Sequence, residues 1–162
     1  MPLAAIALGA NLGPREQTLA AAVEELRLLG DVVAVSRWVE TEPVGYADQP
    51  AFLNGAALLQ TSLGPEPLLR ALLAIEHRHG RDRSHGIASG PRTLDLDLLL
   101  LGQAVLATGD LRLPHPAMHK RLFVLQPLAE IAPDMRHPVL KKTVHELLLA
   151  CTDHHAPSPP IY

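Results

Sequence analysis

The chain has 162 residues, 48% of them hydrophobic, and a net charge of -3 at pH 7; that is one domain's length, with apolar side chains enough for a sizeable core. The acidic balance and an aromatic content of 3% argue against nucleic acid as a partner, which demands a basic face. No uncharged apolar run approaches the ~20 residues needed to cross a bilayer, and Met1-Pro2 is not followed by a basic leader, so a cytoplasmic protein without membrane contact is expected; one cysteine, Cys151, excludes an internal disulfide and a thiolate metal cluster.

Residues 3–9, Leu-Ala-Ala-Ile-Ala-Leu-Gly, are a short apolar run ending in glycine and predict a buried first strand. Asn11-Leu-Gly-Pro14 supplies a turn with proline at a helix start. Leu19, Val23, Leu26 and Leu29 recur at helical spacing, predicting an amphipathic helix over 14–29 stopped by Gly30. The β-branched stretch Asp31 to Val39 reads as a second strand. Glu40 to Pro50, with two prolines and a glycine, reads as an irregular loop of a length that often serves a site. Ala51 to Thr61 resumes strand character, with Leu53, Ala57 and Leu59 on one face and Phe52 and Asn54 on the other. A ring and an amide side by side suit a flat heterocycle; the alternative is an aromatic capping the core at a strand end.

Pro65 opens a second helix whose stripe of Leu68, Leu72 and Ile75 faces the sheet, and Gly80 ends it. Glu76 lies in its last turn, where a carboxylate opposes the helix dipole by some tenths of a kcal/mol; Arg81 or Arg83 can offset that. Gly80 to Gly90 is polar and glycine-rich and reads as a lid whose closure would bring arginines onto phosphates. Arg78, Arg81, Arg83 and Arg92 form a local basic cluster suited to a small polyanion. Gln103 to Leu113 reads as a hairpin or loop, Pro114-His115-Pro116 breaks the chain, and a last helix is expected over Thr143 to Cys151. Residues 1–152 are expected to form a single domain, followed by a disordered tail over 153–162.

The densest chemistry lies in Gly90-Pro-Arg-Thr-Leu-Asp-Leu-Asp-Leu-Leu-Leu-Leu-Gly102. Leu94, Leu96 and Leu98 alternate with Asp95 and Asp97, so both carboxylates share one face of a strand, with Cα atoms roughly 6 to 7 Å apart. Charges beside an all-leucine strand need a counterion; hard oxygens without cysteine favour Mg²⁺ over Zn²⁺, and two ions about 3.5 to 4 Å apart fit such a span. Arg92 adds a planar fork suited to phosphate oxygens. The plainer alternative is an edge strand carrying two solvated aspartates.

Gly90-Pro-Arg-x-x-Asp-x-Asp-Leu-Leu resembles the signature of the 6-hydroxymethyl-7,8-dihydropterin pyrophosphokinases of folate biosynthesis, and the similarity runs from Gly9-Ala-Asn-Leu-Gly13 to about Pro133. The resemblance implies transfer of pyrophosphate from ATP to the pterin hydroxymethyl group with release of AMP. It further implies Asp95 and Asp97 holding two Mg²⁺ ions on ATP, and Glu76, Arg81, Arg83, His115 and Arg121 along the ATP site. Phe52 and Phe123 would sandwich the pterin, and Asn54 with the backbone of Thr41, Glu42 and Val44 would read its ring edge. Arg81, Arg83 and Arg92 are the candidate catalytic cations beside the aspartate pair. Ser89 departs from the family pattern, which often has asparagine or tryptophan there. The element order β-α-β-β-α-β predicts an α+β, ferredoxin-like sandwich with a C-terminal helical extension, helices on one sheet face and the other open to ligands, acting as a monomer. Two rivals stand beside this reading: a Mg-dependent phosphohydrolase with Asp95 as nucleophile, and a non-catalytic ferredoxin-like module that binds a ligand or partner protein.

Overall fold

The computed structural model describes residues 1–11, 13–41, 51–80 and 94–154. Its elements run β1 (Leu3–Ala10), α1 (Arg15–Leu26), β2 (Asp31–Val35), β3 (Val39–Thr41), β4 (Phe52–Gln60), α2 (Pro65–Arg78), β5 (Asp95–Leu101), β6 (Leu106–Thr108), β7 (Leu111–Leu113), α3 (Leu122–Ile131) and α4 (Val144–His154), with a 3-10 turn at Met118–Lys120. It is a mixed α/β fold in which an antiparallel sheet ordered β2-β4-β1-β5, with β3 also pairing β4, is packed by four helices. Strands β6 and β7 form the expected hairpin apart from it.

The sheet has an apolar cluster on each face. Ile6 and Leu8 of β1, Leu53, Ala57 and Leu59 of β4, and Leu96 and Leu98 of β5 point to the side where Leu19, Ala22 and Leu26 of α1 meet Leu68, Leu72 and Ile75 of α2. Those helical residues recur every three or four positions, the spacing that puts them on one stripe. Glu25 of α1 ties the two helices together, accepting from Arg78 Nε at 2.7 Å and lying 2.5 Å from His79 Nε2. On the opposite face Ala5, Ala56, Leu58, Leu99 and Leu100 pack against Met118, Val124, Leu125, Leu128, Val144 and Leu147. An irregularity in the β1–β5 register between Ala5 and Ile6 accompanies this switch of faces along the leucine run, as an extra residue in one strand does.

Four features differ from the sequence-based expectation. Asp31 to Val39 is two short strands: the backbone departs from β4 at Ser36, whose hydroxyl accepts from the Ala56 amide at 2.9 Å and donates to the Arg37 carbonyl at 2.8 Å. Trp38 then lies over Gly55, where a Cβ would come within 2.3 Å of the indole ring. Secondly, α3 spans a stretch after the Pro114-His115-Pro116 break to which the sequence reading assigns no element. Pro127 sits inside it, and proline removes a backbone donor and disfavours helix interiors, but seven of the ten residues are apolar and the packing of Val124, Leu125 and Leu128 stabilises the helix. Thirdly, helices lie on both faces of the sheet, where the sequence reading expected them on one. Finally, α4 continues to His154, two residues into the segment read as tail, while α1 stops at Leu26, short of Leu29.

His137 stands between the 3-10 turn and the chain leading into α4. It is 4% exposed, its Nδ1 accepts from the Val139 and Leu140 amides, and its ring meets His119 edge to face at 6.3 Å. Burial, helped by the neighbouring His119, holds its pKa below the ordinary 6.5. The folded protein therefore binds this proton less readily than the unfolded chain. Its contribution to stability is complete above about 6.5 and lost as pH falls from there through the lowered folded value. Thermal melts from pH 7 to 5 should show a declining Tm, and His137→Asn should decline less steeply; parallel slopes in the two proteins would assign the acid sensitivity to other groups.

Candidate functional site

The candidate site lies on the second sheet face, on the strands β1, β4 and β5. Antiparallel partners directly opposite one another project to the same side. Gly9 of β1 faces Asp95 on one side and Asn54 on the other, and Ala7 faces Asp97 and Ala56. Asp95, Asp97 and Asn54 therefore share the face of Ala5, Ala56 and Phe123, and Phe52, two residues from Asn54, joins them. The expected common face for the two aspartates and for Phe52 with Asn54 is what the register gives. β5 is an edge strand, as the plainer reading supposed, yet both aspartates are half-buried.

Between the aspartates in sequence, the Leu96 amide donates to the carboxylate of Glu76 at 2.6 Å. Among the described residues β5 has no strand partner on its outer side, and α2 supplies this acceptor from its last turn. Glu76 is 2% exposed, so it is a buried carboxylate rather than the solvated one its terminal position allowed. Its hydrogen bond fixes the backbone from which both aspartates project.

Asn54 is 9% exposed and donates from Nδ2 to the Thr41 hydroxyl at 2.6 Å across the β3–β4 pair. Its other amide atom, Oδ1, lies over Gly9, 3.0 Å from where a Cβ would stand. Glycine at position 9 thus lets the amide lie down on the strand.

His115 follows the β6–β7 hairpin. Its amide donates to the Leu99 carbonyl at 2.9 Å, and its Nδ1 accepts from the Ala117 amide at 3.2 Å. An accepting Nδ1 carries no proton, so neutral His115 holds its proton on Nε2 as a donor. Burial, with the positive charge of Arg121, lowers its pKa, and Asp95 partly opposes them. Arg121 and Asp95 thus act on the His115 ring with opposite sign. Arg121 caps α3 and lies over the Phe123 ring, 5.9 Å from its centroid, within the range of cation–π attraction. Met118, fully buried against the core, anchors the turn between the two residues.

The structure thus puts Asp95, Asp97, Asn54, Thr41 and Phe52 on one sheet face, ties Glu76 of α2 to the strand between the aspartates, and packs Phe123, with Arg121 over its ring, on the side of that face. Arg81, Arg83, Arg92, Glu42 and Val44, together with Ser89 and the expected lid, lie outside the described residues. The sequence reading missed the side chain of Thr41, which it used only as backbone, and the turn anchored by Met118. A threonine opposite an asparagine has no signature until strand register is known.

Among the described residues no cluster of three or more His, Cys, Asp or Glu is arranged to hold an ion by protein ligands alone. Two same-face, half-buried carboxylates nonetheless fit Mg²⁺ by their chemistry, since it binds through one or two carboxylates and completes its shell with phosphate oxygens and water.

By architecture this is a mixed α/β fold with an antiparallel sheet whose strand β5 carries an acidic pair on one face. A family model described as 7,8-dihydro-6-hydroxymethylpterin-pyrophosphokinase matches residues 5–133, and the chain belongs to that family. The 2-amino-4-hydroxy-6-hydroxymethyldihydropteridine pyrophosphokinase of Pseudomonas aeruginosa is 49% identical over 149 residues, covering 90% of each chain. The enzyme of that name from Bacillus subtilis is 49% identical over 131 residues, 80% of this chain and 77% of its own. Among solved structures, one described as HPPK-DHPS in complex with substrates superposes with a TM-score of 0.70 at 13% identity, covering 94% of this chain and 44% of the other. A Plasmodium falciparum HPPK-DHPS described with pteroate gives a TM-score of 0.74 at 14% identity, over 92% and 42%. The chain spans less than half of those longer proteins, and at such identity the likeness concerns the fold.

Proposed function

We infer that this protein is a pyrophosphokinase of folate biosynthesis, transferring pyrophosphate from ATP to the hydroxymethyl group of 6-hydroxymethyl-7,8-dihydropterin with release of AMP. The observation that supports the reading best is that two aspartates and an asparagine with a phenylalanine share one face of the sheet, with Phe123 packed on the same side and His115 under the electrostatic influence of Asp95 and Arg121. The aspartates, the histidine and the arginine suit a triphosphate, and the amide with the two rings suits a flat heterocycle.

In this reading Asp95 and Asp97 hold two Mg²⁺ ions together with the ATP phosphates. The two carboxylates would hold the metal there, and it would supply charge neutralisation to the phosphate oxygens as the β-phosphorus is attacked in line. His115 Nε2–H and the Arg121 guanidinium donate to phosphate oxygens, and Arg81, Arg83 and Arg92 from the glycine-rich segment neutralise the rest. Glu76 borders the nucleotide and holds the strand beneath it. Phe52 and Phe123 stack on the pterin; offset stacking is worth about 0.5 to 1.5 kcal/mol per pair beyond buried area. Asn54, with the backbone of Thr41, Glu42 and Val44, reads the ring edge. Positioning and charge neutralisation supply most of the acceleration, since phosphoryl transfer leaves little covalent chemistry to the protein.

The strand order supports a ferredoxin-like assignment for β1, α1, β2, β4, α2 and β5, with α3 and α4 as the C-terminal extension, within a single domain over 1–152. We further take the protein to be a cytoplasmic monomer that contacts neither nucleic acid nor membrane. Among the described residues no helix is long and apolar enough to cross a bilayer.

Incubation with ATP, Mg²⁺ and the hydroxymethyl pterin, followed by identification of the nucleotide product, tests the activity. AMP is expected. ADP would mean ordinary kinase chemistry, and phosphate release from simple esters without the pterin would favour a phosphohydrolase.

Gly9→Ala probes the pterin edge. A methyl 3.0 Å from Asn54 Oδ1 forces the amide to shift, and losing one hydrogen bond's net worth should raise the pterin KM by about twofold to tenfold while the ATP KM holds. An unchanged pterin KM would mean that Asn54 does not read the ring.

A further inference from the structure

We propose that Arg15 is a positioning residue for the pterin half of the site, acting through the sheet from the side away from the ligand. The proposal rests on the activity inferred above.

Arg15 is the first residue of α1, where a cation gains nothing from the helix dipole, which favours anions at that end. Its guanidinium instead reaches across to two strands. Nη1 donates to the Ala51 carbonyl at 2.6 Å, and Nη2 donates to the Glu40 carboxylate at 2.8 Å. In the β3–β4 ladder Thr41 pairs with Phe52 and Glu40 with Leu53. Ala51 lies just beyond the Thr41–Phe52 rung and Glu40 just inside it, so the two arms of the fork straddle the last rung before the 42–50 connection. Glu40 shares the face of Leu53, which belongs to the α1–α2 cluster, whereas Thr41, Phe52 and Asn54 share the opposite face. Arg15 therefore grips the rung from behind, and the residues it steadies are the ring and the Thr41–Asn54 hydrogen bond assigned to the pterin.

Stability alone is a weak account of this contact. The Glu40 side chain is 60% exposed, and a solvated ion pair contributes little to folding. The carbonyl of Ala51 is another matter, because a planar fork holds a backbone oxygen and a carboxylate at one fixed spacing, which a single ammonium cannot reproduce. β3 has three residues and, among the described residues, pairs with β4 alone, so a clasp at its last rung bears directly on its register.

The test is steady-state kinetics of AMP formation with each substrate varied, on wild type, Arg15→Ala, Arg15→Lys and Glu40→Ala. Arg15→Ala is expected to raise the pterin KM about tenfold while the ATP KM stays within about twofold and the Tm falls by a few degrees at most. Arg15→Lys should recover part of the loss, and Glu40→Ala, which leaves the Ala51 contact intact, should give a smaller rise than Arg15→Ala. If Arg15→Ala does not fold, the pterin KM of Glu40→Ala decides. An unchanged pterin KM, or equal rises for both substrates that track a lowered Tm, would overturn the positioning role while leaving the activity standing. Wild type that makes no AMP would remove the activity reading and this role with it.

Discussion

Asp97→Asn is expected to lower turnover by about 10²- to 10³-fold, the loss seen when one preorganised electrostatic group is taken from a transition state, with the fold intact. Asparagine has nearly the same shape but lacks the charge that a hard cation requires. The side chain is half-buried, and position 97 contributes to neither apolar cluster; the backbone pairing of Asp97 with Ala7 is unaffected by the change. Asp95→Asn should behave similarly, with an added change in the acid limb of the pH–rate profile, because Asp95 is the group that partly sustains the protonated form of His115. Circular dichroism and a thermal melt establish that each variant folds, and AMP release measures the rate. Near-normal turnover in a folded Asp97→Asn protein would strike the carboxylate pair from the reaction.

Met118→Ala is expected to cost about 2 to 5 kcal/mol of stability, the range for truncating a large buried aliphatic side chain with its residual cavity. Against a total of roughly 5 to 15 kcal/mol that is a large share. Met118 is fully buried and packs within the cluster formed by α3, α4 and the second sheet face. It also sits between His115 and Arg121, and the chain turns there through hydrogen bonds from the Met118 amide to the His115 carbonyl and from the Arg121 amide to the Met118 carbonyl. Loosening this anchor should therefore raise the ATP KM of the folded fraction below the variant's Tm, and leave the pterin KM less affected. Chemical denaturation with urea gives the stability, and kinetics at 15 °C give the split. A midpoint equal to wild type would show that neighbouring side chains fill the space without loss.

How much of this was legible beforehand depends on where each signal resides. β1, β4, α1 and α2 follow from hydrophobic period, since Leu53, Ala57 and Leu59 alternate and Leu68, Leu72 and Ile75 recur on one stripe. The pairing of Asp95 with Asp97 on one face is likewise a property of the strand period, independent of what packs around it. The break at Ser36 was not legible, because it depends on a serine hydroxyl bonding Ala56 and on an indole lying over Gly55, both about twenty residues away along the chain. The helix α3 was hidden by Pro127, where local chemistry forbids what packing against Leu58 and Leu99 then stabilises.

The sequence by itself determined the family, the two carboxylates, the placing of Phe52 with Asn54, and the apolar faces of the first two helices, for these rest on residue type and short-range spacing. Only the tertiary structure decided that both faces of the sheet carry helices, that Glu76 is buried against the Leu96 amide, that Thr41 holds Asn54, and that Arg15 clasps the end of the β3–β4 ladder. Each of those joins residues far apart in the chain, and a contact between distant residues is fixed by register and packing, which no local pattern records.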